Sequence, residues 1–275
     1  MIKSIADAAI LRNGVHMPWL GFGVFKVKEG DEVINSVKQA IRIGYRSIDT
    51  AAVYANEKGV GKAIRESGVA REELFITTKV WNTDQGFAST LQAFEASRKK
   101  LGLEYIDLYL IHWPVKEKYK ETWKALEKLY KEGAVRAIGV SNFQIHHLRD
   151  LLENCEVVPL VNQVEFHPLL TQKELLAFCR ENHIQLEAWS PLMRGNLDIP
   201  VLKELGKKYQ RTPAQIVLRW DLQLEVVTIP KSINPRRIAE NARIFDFELA
   251  EEDIKRLDAL NENKRFGSDP DNFNF

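Results

Sequence analysis

An aspartate, a tyrosine, a lysine and a histidine stand at or just beyond the ends of apolar runs in the first half of the chain: Asp49, Tyr54, Lys79 and His112. A phenol ordinarily ionises near pH ~10. An ammonium beside it favours the phenolate, so Lys79 is expected to lower the pKa of Tyr54. Asp49 would pair with Lys79, keep it charged and hold it in place. His112 would hydrogen-bond the oxygen that receives the proton. Such a group is a general acid working near neutral pH, able to protonate a carbonyl oxygen as negative charge develops on it. Taken singly, each residue has a plainer reading. Lys79 could be a solvated charge, Tyr54 packing, His112 a satisfied structural histidine and Asp49 a helix cap. All four at early strand ends favour the acid.

The elements that must position them alternate in type. Ser47–Asp49 reads as the end of a short buried strand, after a helix whose apolar positions are Val33, Ile34, Val37, Ala40 and Ile41. Asp31 can cap that helix and Gly44 closes it. Leu74–Val80, Ile106–Trp113, Val135–Val140, Leu160–Phe166, Gln185–Trp189 and Val226–Pro230 read as further strands, with Phe245–Phe247 as a short eighth. Helices fall between them, over about Ser89–Leu101, Trp123–Tyr130 and Ile145–Leu152. One opens at Thr171 with Glu174 in a capping box, and others open at Thr212-Pro213 and Asn234-Pro235. A last helix covers Glu251–Leu260. Alternation of this kind implies right-handed βαβ units and a parallel sheet. About eight such units suit a closed α/β (β/α)8 TIM barrel, with an open doubly wound sheet as the alternative. Asn13-Gly14 predicts a two-residue turn in a small N-terminal β-hairpin. No Pro/Gly/Ser-rich linker divides the chain, so residues 1–275 are expected to form a single barrel domain. The tail Gly267–Phe275 is either a loop over the barrel mouth or disordered.

Composition narrows the partners. A formal net charge of +1 over 275 residues gives no electrostatic case for nucleic acid or an anionic membrane. No apolar run approaches the length of a membrane span, and the N-terminus has no signal-peptide pattern. Cys155 and Cys179 are far apart, which argues against a structural disulfide and fits the cytoplasm. Two cysteines exclude zinc-ribbon spacing, and no metal is expected.

Signals for a dinucleotide are indirect. Gly21-x-Gly23 has Lys26 where a third glycine would be needed, and Gly59-x-Gly61 has Ile64 there, so neither makes the Rossmann fingerprint. Lys231 and Ser232 precede a helix with Arg236 and Arg237 in its first turn. Cations there oppose the helix dipole. An external phosphate would explain them; a solvated charge cluster is the simpler reading.

Seven ordered motifs add a family. Asp49–Tyr54 (DTAAVY), Thr77–Trp81 (TTKVW), Tyr109–Pro114 (YLIHWP), Ile138–Phe143 (IGVSNF), Asn162–Pro168 (NQVEFHP), Trp189–Leu192 (WSPL) and Ile229–Ser232 (IPKS) resemble the signatures of the aldo-keto reductases over essentially the whole chain. Within that family the chain is most similar to the bacterial 2,5-diketogluconate and methylglyoxal (glyoxal) reductases. The resemblance implies an NADPH-dependent reductase (NADPH/NADP+) of small-molecule carbonyl substrates. Tyr54 would be the proton donor, tuned by Lys79 and Asp49, and His112 would orient the carbonyl. It implies that Ser141, Asn142 and Gln163 hold the nicotinamide carboxamide, and that Trp189, followed by Ser190, stacks on the ring. Lys231, Ser232 and Arg237 would grip the 2′-phosphate, and Glu240 and Asn241 the adenine.

Two departures bear on substrate. Position 189 is Trp where many members have Tyr, though either ring offers a flat face. The segment between Pro114 and Trp123 is short. A clipped rim, with Phe25, Trp81, Trp113 and the tail residues Phe273 and Phe275, suggests small substrates such as aldehydes and α-dicarbonyls. The expectation is a cytosolic monomer with neither membrane nor nucleic-acid partners. Its rivals are an NADPH-binding sensor or scaffold subunit, and a metal-dependent hydrolase using Asp49, His112 and His167. His146 and His147, adjacent on a helix, are not expected to face one point.

Overall fold

The structure, a computed structural model, describes residues 2–275. A hairpin, β1 (Ala8–Ile10) and β2 (His16–Pro18), precedes eight parallel strands. These are β3 (Gly21–Gly23), β4 (Ser47–Asp49), β5 (Phe75–Val80), β6 (Ile106–Ile111), β7 (Val135–Ser141), β8 (Val161–Glu165), β9 (Gln185–Trp189) and β10 (Val227–Thr228). They hydrogen-bond in sequence order, and a Leu20–Thr228 bridge joins the two ends into a barrel. The helices α1 (Asp31–Ile43), α2 (Glu57–Glu66), α3 (Phe87–Leu101), α4 (Tyr119–Lys131), α5 (Ile145–Leu152) and α6 (Lys173–Glu181) connect successive strands. Both α7 (Pro200–Tyr209) and α8 (Pro213–Gln223) lie between β9 and β10, and α9 (Pro235–Asn241) and α10 (Glu251–Asp258) follow. The expected (β/α)8 barrel is what forms.

Several local expectations change. The first barrel strand is Gly21–Gly23, so Ser47–Asp49 is the second, and Phe245–Phe247 is not a strand. Gly21 and Gly23, one of the two pairs that failed as a nucleotide fingerprint, serve barrel closure. A Cβ on Gly21 would lie 2.8 Å from Ile229 Cγ2 and 3.0 Å from Ser47 Oγ, where no side chain fits. In the hairpin only Gly14 has positive φ, at 83°. Leu11 N–H donates to Val15 O, so the loop is longer than the two residues expected. Asp31 is the first residue of α1, and Gly30 occupies the cap position. The Thr171–Glu174 capping box does not form. The cap residue is Gln172, with φ 39°, and Thr171 N–H donates instead to Asn261 Oδ1. The two Pro-initiated helices do start as expected: Thr212 and Gln215 form a capping box, and Asn234 Oδ1 accepts from the N–H groups of Arg236 and Arg237.

Strand parity divides the core. One alternation faces the helices: Ile76, Tyr109, Ile111, Ile138, Val140, Val164, Leu186 and Ala188 join Trp123, Phe143 and Trp220 in the larger cluster. The other alternation fills the barrel. Phe75, Leu108, Leu110, Ala137, Val161 and Val227 form its floor, and Ala9, Leu11 and Met17 of the hairpin region pack into the same cluster. Two or four residues further along β5, β7 and β8, on the same side, come Lys79, Ser141 and Gln163, and Glu187 takes the inward side of β9.

Candidate active site

The upper barrel interior holds a buried polar network. Lys79, fully buried on β5, donates to Asp49 Oδ1 at 2.7 Å and to Thr50 O at 2.9 Å. The second Asp49 oxygen accepts from Gln163 Nε2 at 2.8 Å. The same nitrogen donates to Glu187 Oε2 at 2.7 Å. A buried ammonium needs such neighbours. Burial opposes its charge, but Asp49 leads a set of groups that outweigh burial and hold Lys79 above its usual pKa.

Tyr54 closes a short helical turn after β4 and stands over this network. Lys79 Nζ lies 5.2 Å from the centre of its ring. Its ring meets His112 edge-on at 5.7 Å and Phe25 at 5.0 Å between centres. The phenol is not the lowered acid expected from sequence. Burial is the largest influence and raises it; Lys79 lowers it, Asp49 and Glu187 raise it again, and the balance lies above the ordinary value. Tyr54 therefore keeps its proton through the neutral range. The ammonium becomes important once the proton has left, because it then faces a phenolate. His112 follows β6. Burial first, then Lys79, depress its pKa well below the usual range, so the imidazole is neutral, and its Nδ1 has no protein partner. A neutral ring beside a phenol can orient an oxygen by hydrogen bonding without adding charge.

The residues assigned to the nicotinamide are close neighbours. Ser141 Oγ donates to Gln163 O at 2.8 Å. Asn142, with φ 65°, donates from Nδ2 to His112 O at 2.9 Å and accepts at Oδ1 from Trp189 Nε1 at 2.9 Å. The Trp189 indole is thus tied to Asn142, which in turn is tied to His112. Ser190 adopts φ 53° and starts the loop beyond β9. Glu165 fastens the start of the tail, accepting from Phe266 N–H at 2.7 Å and Gly267 N–H at 3.1 Å.

At the rim, the tail lies over the mouth. Phe275 stacks on Trp81 with centres 5.8 Å apart, Phe273 and Phe275 both contact Trp113, and Asn82 Nδ2 donates to Phe275 O. Trp81 also meets His112 at 5.1 Å, so the rim connects to the Tyr54–His112 pair.

At α9, Lys231, Arg236 and Arg237 are exposed. The first-turn N–H groups of Arg236 and Arg237 are already taken by Asn234, and Ser232 Oγ accepts from Asn234 N–H. A phosphate would meet cationic side chains here rather than the free N–H groups expected of a helix start. Glu240 Oε1 accepts from Thr212 Oγ1, and Asn241 is buried.

The histidines behave otherwise than expected. The rings of His146 and His147 are 3.9 Å apart, and their Nε2 atoms lie 2.9 and 3.6 Å from Asp271 Oδ1. They do face one point, because α5 has only just begun and the tail reaches over them. Gln144 N–H donates to His147 Nδ1, which puts the proton of the neutral ring on Nε2, the atom a cation would need. The trio reads as a clasp on the tail. His167 faces Glu165 at 3.2 Å, while both Asp49 oxygens are committed to Lys79 and Gln163, so the three residues of the hydrolase alternative do not combine.

Two members of the network escaped the sequence reading: Thr50, through its carbonyl, and Glu187. The second had a signal. Glu187 shares the parity of Trp189 on β9, so an acid had to point into the barrel.

Residues 19–262 match the Aldo/keto reductase family. The chain is 63% identical to the glyoxal reductase of Bacillus subtilis (strain 168), over 100% of both chains. It is 50% identical to the methylglyoxal reductase DkgA of Salmonella typhimurium, over 96% of each. Among solved structures it superposes on a mutant form of Gox0644 in complex with NADPH, with TM-score 0.93, 43% identity and 98% of each chain covered. The chain therefore belongs to the aldo/keto reductase family and is an NADP(H)-dependent oxidoreductase.

Proposed function

We propose that the enzyme reduces small aldehydes and α-dicarbonyls such as methylglyoxal, and in the same pocket keto-sugar acids, with Tyr54 as the general acid. The observation that carries this reading is the buried Asp49–Lys79 pair beneath a protonated phenol, with a neutral imidazole edge-on to it. NADPH supplies the hydride when bound. Gln163 suits its carboxamide because both Nε2 bonds fix the amide while Oε1 takes part in neither. Ser141 and Asn142 flank it, and Trp189 and Ser190 line the ring face. Lys231, Ser232 and Arg237 would hold the 2′-phosphate through side chains, with Glu240 and Asn241 near the adenine.

The substrate oxygen would lie between Tyr54 and His112. As that oxygen gains negative charge, its proton affinity exceeds that of the phenol and the proton moves from Tyr54 Oη. The phenolate left behind faces Lys79, which Asp49 keeps charged and in place. Polarisation by these preorganised groups favours the transition state over the bound carbonyl. Phe25, Trp81 and Trp113 would give the pocket an apolar rim, which suits small substrates. A single 275-residue barrel domain acting as a monomer in the cytoplasm is part of the same reading, and the free Cys155 and Cys179 are compatible with a reducing compartment.

The test is NADPH oxidation with methylglyoxal by the wild type and by Tyr54→Phe, alongside NADPH affinity from fluorescence quenching. Turnover should fall by about 10²–10⁴-fold in the variant, with affinity unchanged. Tight NADPH binding without turnover on a panel of aldehydes would reject the reading and leave a cofactor-binding subunit.

A further inference from the structure

Barrel interiors are ordinarily filled by branched aliphatic residues. Glu187 breaks that rule in the middle of β9. It is fully buried, two residues before Trp189 and on the same inward side. One carboxyl oxygen accepts from Gln163 and the other has no protein partner. An apolar side chain of similar volume would fill the space without an unpaired polar atom. So Glu187 is a poor filler, and its geometry suggests another use. The amide of Gln163 donates both ways from Nε2, to Glu187 and to Asp49, and Asp49 in turn holds Lys79. Four side chains from β9, β8, β4 and β5 are linked in one line across the barrel. With Asp49 alone as a partner, the amide could swing about that single bond; two acceptors fix its plane.

We propose that Glu187 is a positioning residue for the reduction, locking the Gln163 amide against Asp49 so that the group assigned to the cofactor carboxamide and the Lys79–Tyr54 proton-donating pair are set by one network. This rests on the proposed reading of the site.

The charged and titratable groups facing Glu187 are Asp49 on β4, Lys79 on β5 and Tyr54 after β4; its neighbours on β8 and β10 are the uncharged Gln163 and Val227. Burial first, and Asp49 second, push its carboxyl up to about 8, against the opposing effects of Gln163 and Lys79. In the neutral range it therefore holds Gln163 without adding charge. Once ionised, it adds a negative charge that makes Tyr54 hold its proton more tightly. A second consequence concerns the apoprotein. An acid whose folded pKa is raised contributes most stability below its ordinary pKa and loses that contribution as pH rises. The window here runs from about 4.5 to about 8.

The experiment compares wild type, Glu187→Gln and Glu187→Leu. Glu187→Leu removes the anchor, and both NADPH affinity and kcat should fall about tenfold, the loss expected of one buried hydrogen bond of this kind. Glu187→Gln keeps an acceptor for Gln163, so NADPH affinity should stay within about twofold. It should also lose the decline in kcat as pH passes about 8, and the apoprotein's loss of thermal stability between pH 4.5 and 8. Two results would overturn the proposal: wild-type NADPH affinity and kcat in Glu187→Leu, or wild-type pH profiles of kcat and stability in Glu187→Gln. If Glu187→Leu does not fold, the Glu187→Gln profiles decide. If the wild type turns over no carbonyl at all, the reductase reading fails on its own, and NADPH affinity with the apoprotein profile still judges Glu187.

Discussion

The lower and upper halves of the barrel share one inward parity, yet their chemistry is opposite. Below, Phe75, Leu108, Leu110, Val161 and Val227 pack against Met17 of the hairpin. Above, Lys79, Gln163 and Glu187 continue β5, β8 and β9, joined by Asp49 from β4. The floor gains stability from apolar burial and needs no particular side-chain direction beyond close packing. The upper half gives up that gain. It holds an ion pair and a second acid out of water, a trade that is rarely favourable for stability alone. The division runs along β5 and β8, where Phe75 and Val161 pack the floor and Lys79 and Gln163 join the polar network, and between strands elsewhere: β6 and β10 supply the floor residues Leu108, Leu110 and Val227, and β4 and β9 supply Asp49 and Glu187.

Lys79→Met should test the division most severely. It leaves Asp49 buried without its cation, and stability should fall by about 3–5 kcal/mol. On the proposed reading turnover should vanish as well, since the phenolate of Tyr54 would lose its counter-charge. Urea unfolding and NADPH oxidation on the same preparation measure both. A variant that turned over normally would mean that the upper half is structural too. Leu108→Ala is the converse. It removes floor packing and should lower stability by about 2–5 kcal/mol, while kcat per folded molecule stays at the wild-type value. A large fall in kcat there would show that floor and network are not separable.

Outside the barrel the expected effects shrink. Arg237 is exposed, and on the proposed reading its side chain meets the 2′-phosphate while Asn234 occupies the helix N–H groups. Arg237→Ala should weaken NADPH by about tenfold, the loss of one charge-assisted contact, and leave NADH binding unchanged. Equal weakening of both cofactors would place the arginine elsewhere in the site.

What could be read from the amino-acid order follows the same division. Asp49, Lys79 and His112 were legible because each ends a run of apolar residues, and the closed barrel followed from the alternation of those runs with helical spacing. The strand Gly21–Gly23 was not legible. It is three residues long, two of them glycine, and close approach to Ile229 rather than apolar character defines it. The rise in the Tyr54 pKa was also out of reach, because the sequence places a lysine nearby but does not reveal that burial outweighs it. The Thr171 capping box failed because a distant side chain, Asn261, claimed the N–H first. The meeting of His146 and His147 depends on a tail that returns from more than a hundred residues away in sequence. Local pattern predicts what local forces decide, and these cases were decided by tertiary contacts.

The smallest effect separates the tail from the network it covers. Phe275 is 51% exposed, yet it stacks on Trp81 and touches Trp113, while Asp271 holds the next turn of the tail to His146 and His147. Burial, and then His146, depress the His147 pKa to about 4 against the pull of Asp271. A histidine whose folded pKa is lowered contributes stability above its ordinary pKa, and that contribution is lost as pH falls toward the folded value. The fold should thus lose that contribution between pH 6.5 and about 4, even though protonation strengthens the attraction of the His147 ring to Asp271. Phe275→Ala removes an aromatic contact from the rim but touches neither Lys79 nor Tyr54. It should raise KM for methylglyoxal about two- to tenfold, in keeping with the ~0.5–1.5 kcal/mol of an aromatic pair, and leave kcat within about twofold. Asp271→Asn should have a weaker effect of the same kind at pH 7. Steady-state kinetics on both variants decide the matter. A change confined to KM means that the tail shapes access alone. A fall in kcat would mean that the Trp81–His112 contact carries the tail's position into the proton transfer, and the boundary between rim and network would have to be redrawn at Trp81.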